Sequence, residues 1–304
     1  MFFSASSVKD TKQLYDFGIK DILVSYFYIR KSVKFYTEII NRIHGEGGLF
    51  MTDSGGFSFI GWGRNTSKDQ EKESFWEPYI HEYLEFLEKN KTKIFSCANL
   101  DLDNQVGREV VDKWNSWIGE LSNYTNIVYV AHKDHTGQYN DKLGTKRFEE
   151  YCKKYDYVGI NHEMTENAQR FYAIAARYKK LVHGFGVTSI PLLKSFPFFS
   201  VDSTTWLGGV RYGTSYNYDG KNFRVNSYKK KYIRKGDKLL CKEFGINYAD
   251  LLRDERNAVN QYNLIGWLGA RREYLRSANV KLKNKPVIAY VKNAQFKEKN
   301  IESK

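Results

Sequence analysis

The chain has 304 residues, a formal net charge of +13 and an aromatic content of 16%. At roughly 150 residues per domain the length predicts one large domain or two ordinary ones, and the aromatics, with a mean hydropathy of −0.60, exclude a disordered chain. No apolar run reaches the roughly 18 residues of a membrane span, and the opening MFFSASSVKDTK lacks the basic-then-apolar pattern of a secretory leader.

Along the chain two textures alternate. Short β-rich apolar runs fall at 22–29, 48–52, 93–100, 127–131, 155–160, 181–187 and 198–201. Polar stretches of helical period lie between them at 31–43, 74–89, 105–121, 143–154 and 165–179. In 74–89 the residues Phe75, Tyr79, Tyr83, Phe86 and Leu87 recur at three- and four-residue steps, which predicts an amphipathic helix. Continuous apolar strands alternating with helices indicate βαβ units and a parallel sheet. Seven such runs before residue 206 predict an α/β fold, a (β/α)8 barrel of the TIM type, whose usual size of about 250 residues also fits. Three well-separated cysteines, Cys97, Cys152 and Cys241, form no disulfide framework and suit a reducing cytoplasm.

The charge is uneven. Residues 221–304 hold 21 Lys and Arg against 8 Asp and Glu, whereas residues 1–220 hold 27 of each sign. This predicts a catalytic barrel core over 1–220 and a basic C-terminal segment over 221–304 that packs on the barrel. Its densest part, Lys229, Lys230, Lys231, Arg234, Lys235 and Lys238, is interleaved with Tyr228 and Tyr232. Basic residues among aromatics form the footprint of a phosphate-backbone surface, so the segment reads as a nucleic-acid contact. A solvated lysine face is the plainer alternative.

Chemistry-bearing residues fall at the C-terminal ends of the apolar runs: Asp53, Asp101, His132 and Asp202, with Gly159 inside the run at 155–160. In a barrel these ends converge on the face where active sites are built. Thr52-Asp53-Ser54-Gly55-Gly56-Phe57 sets a carboxylate before a Ser-Gly-Gly turn whose backbone can approach a ligand unobstructed, then an aromatic able to cover a flat ring. The stretch FFSVDSTTW carries Asp202 out of an apolar strand into a hydroxyl-rich turn. A carboxylate there can attack a cationic, oxocarbenium-like carbon. Read for structure alone, Asp53 caps a helix and Asp202 anchors a turn. Together the two aspartates point to glycosyl transfer, one forming a covalent glycosyl-enzyme while the other moves protons. Phe57 points to a nucleobase as the leaving group.

On these residues the sequence resembles the tRNA-guanine transglycosylase superfamily, whose TIM barrels carry an Asp-Ser-Gly-Gly-Phe/Tyr motif. Within it the likeness is greatest to the DNA-guanine transglycosylase branch, often viral, which exchanges guanine in DNA for a 7-deazaguanine of the preQ0 type. Ser-Val-Asp-Ser-Thr-Thr-Trp around Asp202 carries that preference, and the motifs run in order over about residues 20–210 and weakly to 275. The resemblance implies Asp202 as the nucleophile at C1′ and Asp53 as acid/base and base contact. It implies Phe57 as the ring stacked on the purine, with Ser54 and Gly55 in the same base-binding loop. Asp101, in Ala98-Asn99-Leu100-Asp101, matches the reader of the purine's Watson–Crick edge, with Asp103 the alternative. His132 falls where the tRNA enzymes carry a glutamine, and Gly159 where their backbone contacts the base. Gly184-Phe185-Gly186-Val187 matches the family's Gly-Val-Gly run, which sets His183 opposite Phe57 across the base.

The tRNA enzymes hold zinc through a Cys-x-Cys-x2-Cys cluster and a later histidine. Here that region keeps only Cys241 and no histidine follows His183, so no structural zinc site is expected. His44, His81, His135 and His162 lack ligand spacing and read as ordinary surface or core residues. No cofactor is expected beyond the 7-deazaguanine base as co-substrate. The partners implied are DNA and that free base, with no membrane; a homodimer is left open, and a viral origin sets the enzyme in the host cytoplasm. The same chemistry on tRNA is the nearest alternative, against which the missing zinc ligands and the Asp202 context count. A non-catalytic nucleic-acid-binding barrel subunit would lack a catalytic aspartate, yet both are present. A glycosidase of free sugars would leave the basic segment unused.

Overall fold

The computed structural model describes residues 2–6, 8–56, 58, 71–187, 189–196, 198–208, 214–218, 223–227, 235–253, 255–266 and 268–269. Eight strands form a closed barrel in chain order: β1 (Phe2–Ser6), β2 (Ile22–Ser25), β3 (Phe50–Asp53), β4 (Ser96–Ala98), β5 (Asn126–Ala131), β6 (Tyr157–Ile160), β7 (Leu181–Gly184) and β8 (Ser200–Ser203). Each neighbouring pair from β1·β2 to β7·β8 is parallel. The expected (β/α)8 barrel is the architecture. Between strands run α1 (Val8–Asp16), α2 (Tyr26–Ile29), α3 (Val33–Gly45), α4 (Glu73–Asn90), α5 (Asp103–Val106), α6 (Arg108–Gly119), α7 (Thr145–Lys154), α8 (Ala168–Arg177) and α9 (Ile190–Ser195).

Three details depart from the sequence pattern. β1, with sequence FFSAS, completes the set of eight but is too short and mixed to stand out as an apolar run. The run at 22–29 splits: the strand ends at Ser25, and Tyr26–Ile29 turns as α2. Tyr26 leaves the sheet because its ring packs against Tyr79, Tyr83 and Phe86, at centroid distances of 5.5, 4.9 and 5.5 Å. On α4 the buried stripe starts at Trp76, followed by Tyr79, Ile80, Tyr83, Phe86 and Leu87, while Phe75 is 38% exposed.

The lumen sets the position of the site. Leu23, Met51, Ala98, Val128, Val130 and Tyr157 form its apolar layer, with Phe185 and Phe199 packed against it. Burying each large apolar side chain contributes about 1.5–3 kcal/mol, which closes the strands around one another. Side chains alternate along a strand, so residues two positions further on share the same face. Above Leu23, Met51 and Val130 that rule puts Ser25, Asp53 and His132; above Gly159 and Ser200 it puts Asn161 and Asp202. A polar layer at the C-terminal mouth therefore sits directly on the apolar one.

The described residues divide into two compact units, one built from Met1–Val187 and Phe198–Asp202, the other from Thr188–Pro197 and Ser203–Asn284. The division falls at β8, with Thr188–Pro197, between β7 and β8, in the second unit. In the second unit β9 (Thr214–Tyr218) and β10 (Phe223–Ser227) pair as an antiparallel hairpin. They are followed by α10 (Lys235–Glu243), α11 (Tyr248–Leu252) and a helix over 256–266. Trp206, Cys241, Leu251, Tyr262 and Leu264 are buried in it, and Asn263 Nδ2 donates to the Trp206 carbonyl at 3.2 Å. Lys229, Lys230, Lys231 and Arg234 lie outside the described residues, and Lys235 opens α10. Among the described residues no helix is long and apolar enough to cross a membrane.

Candidate active site

Asp53 ends β3 in register with Ser25 at the end of β2. Its Oδ1 accepts the Gly55 N–H at 2.7 Å, so the carboxylate does cap the turn that follows. Burial pushes the Asp53 pKa up to about 7; bonds from Ser25 and Gly55 oppose the rise, and the negative charges of Asp202 and Asp101 add to it. The three carboxylates are thus within electrostatic reach of one another.

The glycine in this turn leaves no room for a side chain. Gly55 sits at φ +81°, and a Cβ there would fall 2.7 Å from Phe27 N and 2.7 Å from the Tyr79 hydroxyl. Tyr79, on α4, donates to the Ser54 carbonyl at 2.6 Å. The missing side chain therefore admits the protein's own atoms, and α4 pins the loop from outside. Phe57 lies outside the described residues.

Asp101 and His132 form a pair at the ends of β4 and β5. Ser54 Oγ donates to Asp101 Oδ1 at 3.3 Å, and His132 Nε2 bonds Asp101 Oδ2. Asn161, just past β6, accepts the Met164 N–H on Oδ1 at 3.2 Å, which turns its Nδ2 toward His132 Nδ1 at 2.9 Å. Nδ1 is then the acceptor, and the ring proton stands on Nε2 facing Asp101. Burial drives the His132 pKa down, but the charge and bond of Asp101 outweigh it and the net direction is up. The Asn161 donor resists a second ring proton. Asp103 is placed elsewhere: it opens α5 with Oδ1 2.7 Å from Arg147 Nη2. Burial pushes its pKa up and Arg147 pulls it back. Of the two aspartates offered for reading a base, Asp101 belongs to this mouth and Asp103 to Arg147.

Asp202, on β8, has a side chain only 9% exposed. Its Oδ1 accepts from His183 Nε2 at 3.2 Å and from the Gly186 N–H at 3.1 Å; among the described residues Oδ2 carries no bond. His183, on β7, is 0% exposed. Its Nδ1 bonds Ser200 Oγ, which in turn bonds the Tyr157 hydroxyl. Burial pushes the His183 pKa down although Asp202 pulls the other way. Phe57, expected across a base from it, lies outside the described residues, and the His183 ring itself is fully enclosed. It pairs with Ser200 in the ladder, one pleat below Asp202, and supports that residue from behind.

Gly159 has no room for a side chain either. A Cβ there would meet Phe185 Cε2 at 2.8 Å and Val128 Cγ1 at 3.0 Å. The bare position admits the Phe185 ring, whose centroid lies 4.2 Å from that of His183. The Gly159 backbone sits in the ladder between Val130 and His183. Residues the motifs did not single out, Ser25, Asn161, Tyr157 and Ser200, complete the site. Ser25 and Asn161 obey the strand-end rule that found Asp53 and His132, and the alternation of β6 and β8 aims Tyr157 and Ser200 inward.

Chemically, the mouth combines a carboxyl able to hold or release a proton near neutrality with a second carboxylate whose Oδ1 is fixed by two donors. Among the described residues no three of His, Cys, Asp and Glu stand together as a metal site. No protein-family model matches the chain, and no curated protein does. Among solved structures the chain is similar to orotidine 5'-monophosphate decarboxylase from Methanocaldococcus jannaschii at 15% identity and a TM-score of 0.42, over 67% of this chain and 87% of that one. It is similar to xylanase 10B from Thermotoga maritima at 10% identity and a TM-score of 0.36, over 84% of this chain and 95% of that one. Likeness at this level says nothing of the chemistry.

Proposed function

We propose that the chain is a nucleic-acid glycosyltransferase that exchanges guanine in DNA for a free 7-deazaguanine base through a covalent Asp202–deoxyribosyl intermediate. The observation that carries this reading is the division of labour between two carboxylates at one barrel mouth. Asp202 has one oxygen held by His183 and Gly186, and Asp53 has a pKa of about 7. A carboxylate fixed by two donors, beside a carboxyl that holds its proton near neutrality, fits a nucleophile paired with an acid/base.

Asp202 Oδ2 attacks C1′, and the C1′–N9 bond breaks with its electron pair passing to N9. Protonated Asp53 supplies the proton that N9 takes, so guanine leaves neutral. An entering 7-deazaguanine gives its N9 proton to the Asp53 carboxylate as N9 attacks C1′, and Asp202 departs as a carboxylate. Protons and bonds balance without water. Asp101, though bonded to Ser54 and His132, keeps lone pairs for the N1–H and 2-amino donors of a purine. The target nucleotide has to leave the base stack to reach the mouth, and the basic residues of 221–304 favour a polyanionic partner.

The test is DNA incubated with the protein and a 7-deazaguanine base, digested to nucleosides and analysed by mass spectrometry. The 7-deaza nucleoside is expected to accumulate with one guanine released per insertion. Guanine release that leaves abasic sites, or incorporation into tRNA alone, refutes the reading.

A further inference from the structure

We propose that His183 is the positioning residue of Asp202, holding Oδ1 through its Nε2–H so that Oδ2 is the oxygen presented to the reacting carbon. The inference rests on the glycosyl-transfer reading above.

The direction of the bonds follows from the partners. A carboxylate only accepts, so the proton between His183 and Asp202 stands on Nε2. A neutral ring then carries its lone pair on Nδ1, which takes the Ser200 hydroxyl hydrogen, and Ser200 Oγ is left to accept from Tyr157. Tyr157, Ser200 and His183 thus make a one-way row of donors that ends on Asp202 Oδ1, joined there by the Gly186 N–H. All three are buried, so water does not compete for these bonds. The row spans β6, β7 and β8, which fixes the ring against rotation and the carboxylate with it. When Oδ2 bonds C1′, Oδ1 becomes the carbonyl oxygen of the ester. When the C1′–Oδ2 bond breaks again, the returning charge falls where two donors already point. His183 keeps its proton throughout.

Two variants separate this role from a structural one. His183→Gln keeps a donor at about the reach of Nε2, whereas His183→Leu keeps the volume and removes the donor. In the base-exchange assay His183→Leu is expected to lower kcat roughly tenfold to a hundredfold, the loss for one hydrogen bond to a charged group. The KM for the free base stays unchanged, and His183→Gln recovers most of the rate. Equal losses in both variants, or a rise in KM alone, overturn the proposal. A measurement without turnover runs beside it: 15N spectra of the protein labelled in its 6 histidines, with the His183 signal assigned by its absence from His183→Gln. A ring protonated on Nε2 alone at pH 7 supports the proposal; one protonated on Nδ1, or on both nitrogens, overturns it. Wild-type protein that shows the Nε2–H ring but exchanges no base refutes glycosyl transfer, and the catalytic use of His183 with it, while the bonded row itself stands.

Discussion

Replacing Asp53 by asparagine should stabilise the fold above neutral pH while removing the proposed proton donor. The Asp53 pKa stands at about 7, against an ordinary value of 3.8 that the unfolded chain retains. The folded state therefore binds this proton more tightly. Stability is free of the penalty below pH 3.8, falls as pH climbs toward 7, and levels off above it. At about 1.36 kcal/mol per pH unit between the two values, the penalty is roughly 1.5 kcal/mol at pH 5 and about 4 kcal/mol at pH 8. Asparagine keeps an oxygen for the Gly55 N–H but sets no charge against Asp202 and Asp101. Urea unfolding of both proteins at pH 5, 6, 7 and 8 measures the effect. The difference should grow in favour of Asp53→Asn by roughly 2.5 kcal/mol across that range and flatten above pH 7. Base exchange by the variant should fall by about a hundredfold or more, the scale of a lost general acid. A stability difference that does not change with pH would refute a half-buried Asp53 coupled to its neighbouring carboxylates.

Two further outcomes are expected. Gly159→Ala, whose Cβ would stand 2.8 Å from the Phe185 ring, should cost about 1–3 kcal/mol of unfolding free energy by overpacking. Phe185→Leu in the same chain should recover part of that cost, and strictly additive losses would contradict the contact. Neutralising Lys229, Lys230, Lys231 and Arg234 should weaken DNA binding and lower the slope of log affinity against log salt by about 0.9 for each phosphate that is no longer neutralised. Free-base binding should be unaffected, and an unchanged slope would make the cluster a solvated face.

Much of the barrel was legible because its strands are short continuous apolar runs, and a lumen layer such as Leu23, Met51 and Val130 leaves that mark directly in sequence. β1 was not legible, since FFSAS owes its place to closing the barrel and not to a pattern of its own. The strand-end rule found Asp53, Asp101, His132 and Asp202. What each touches depends on neighbours distant in sequence. Asn161 turns His132, and Tyr157 and Ser200 reach Asp202 through His183 across three strands. Glycines were the hardest to read. At Gly55 and Gly159 a side chain would collide with Tyr79 and Phe185, packing that the sequence does not display.

The attack of Asp202 on C1′ is tested most directly by isolating the covalent species. Protein mixed with guanine-containing DNA in the absence of 7-deazaguanine, quenched in denaturant and digested for peptide mass spectrometry, should yield a deoxyribosyl ester on Asp202. That adduct should be absent from Asp202→Ala and should disappear when 7-deazaguanine is added before the quench. An adduct on another residue, or guanine released with no adduct at all, would contradict it.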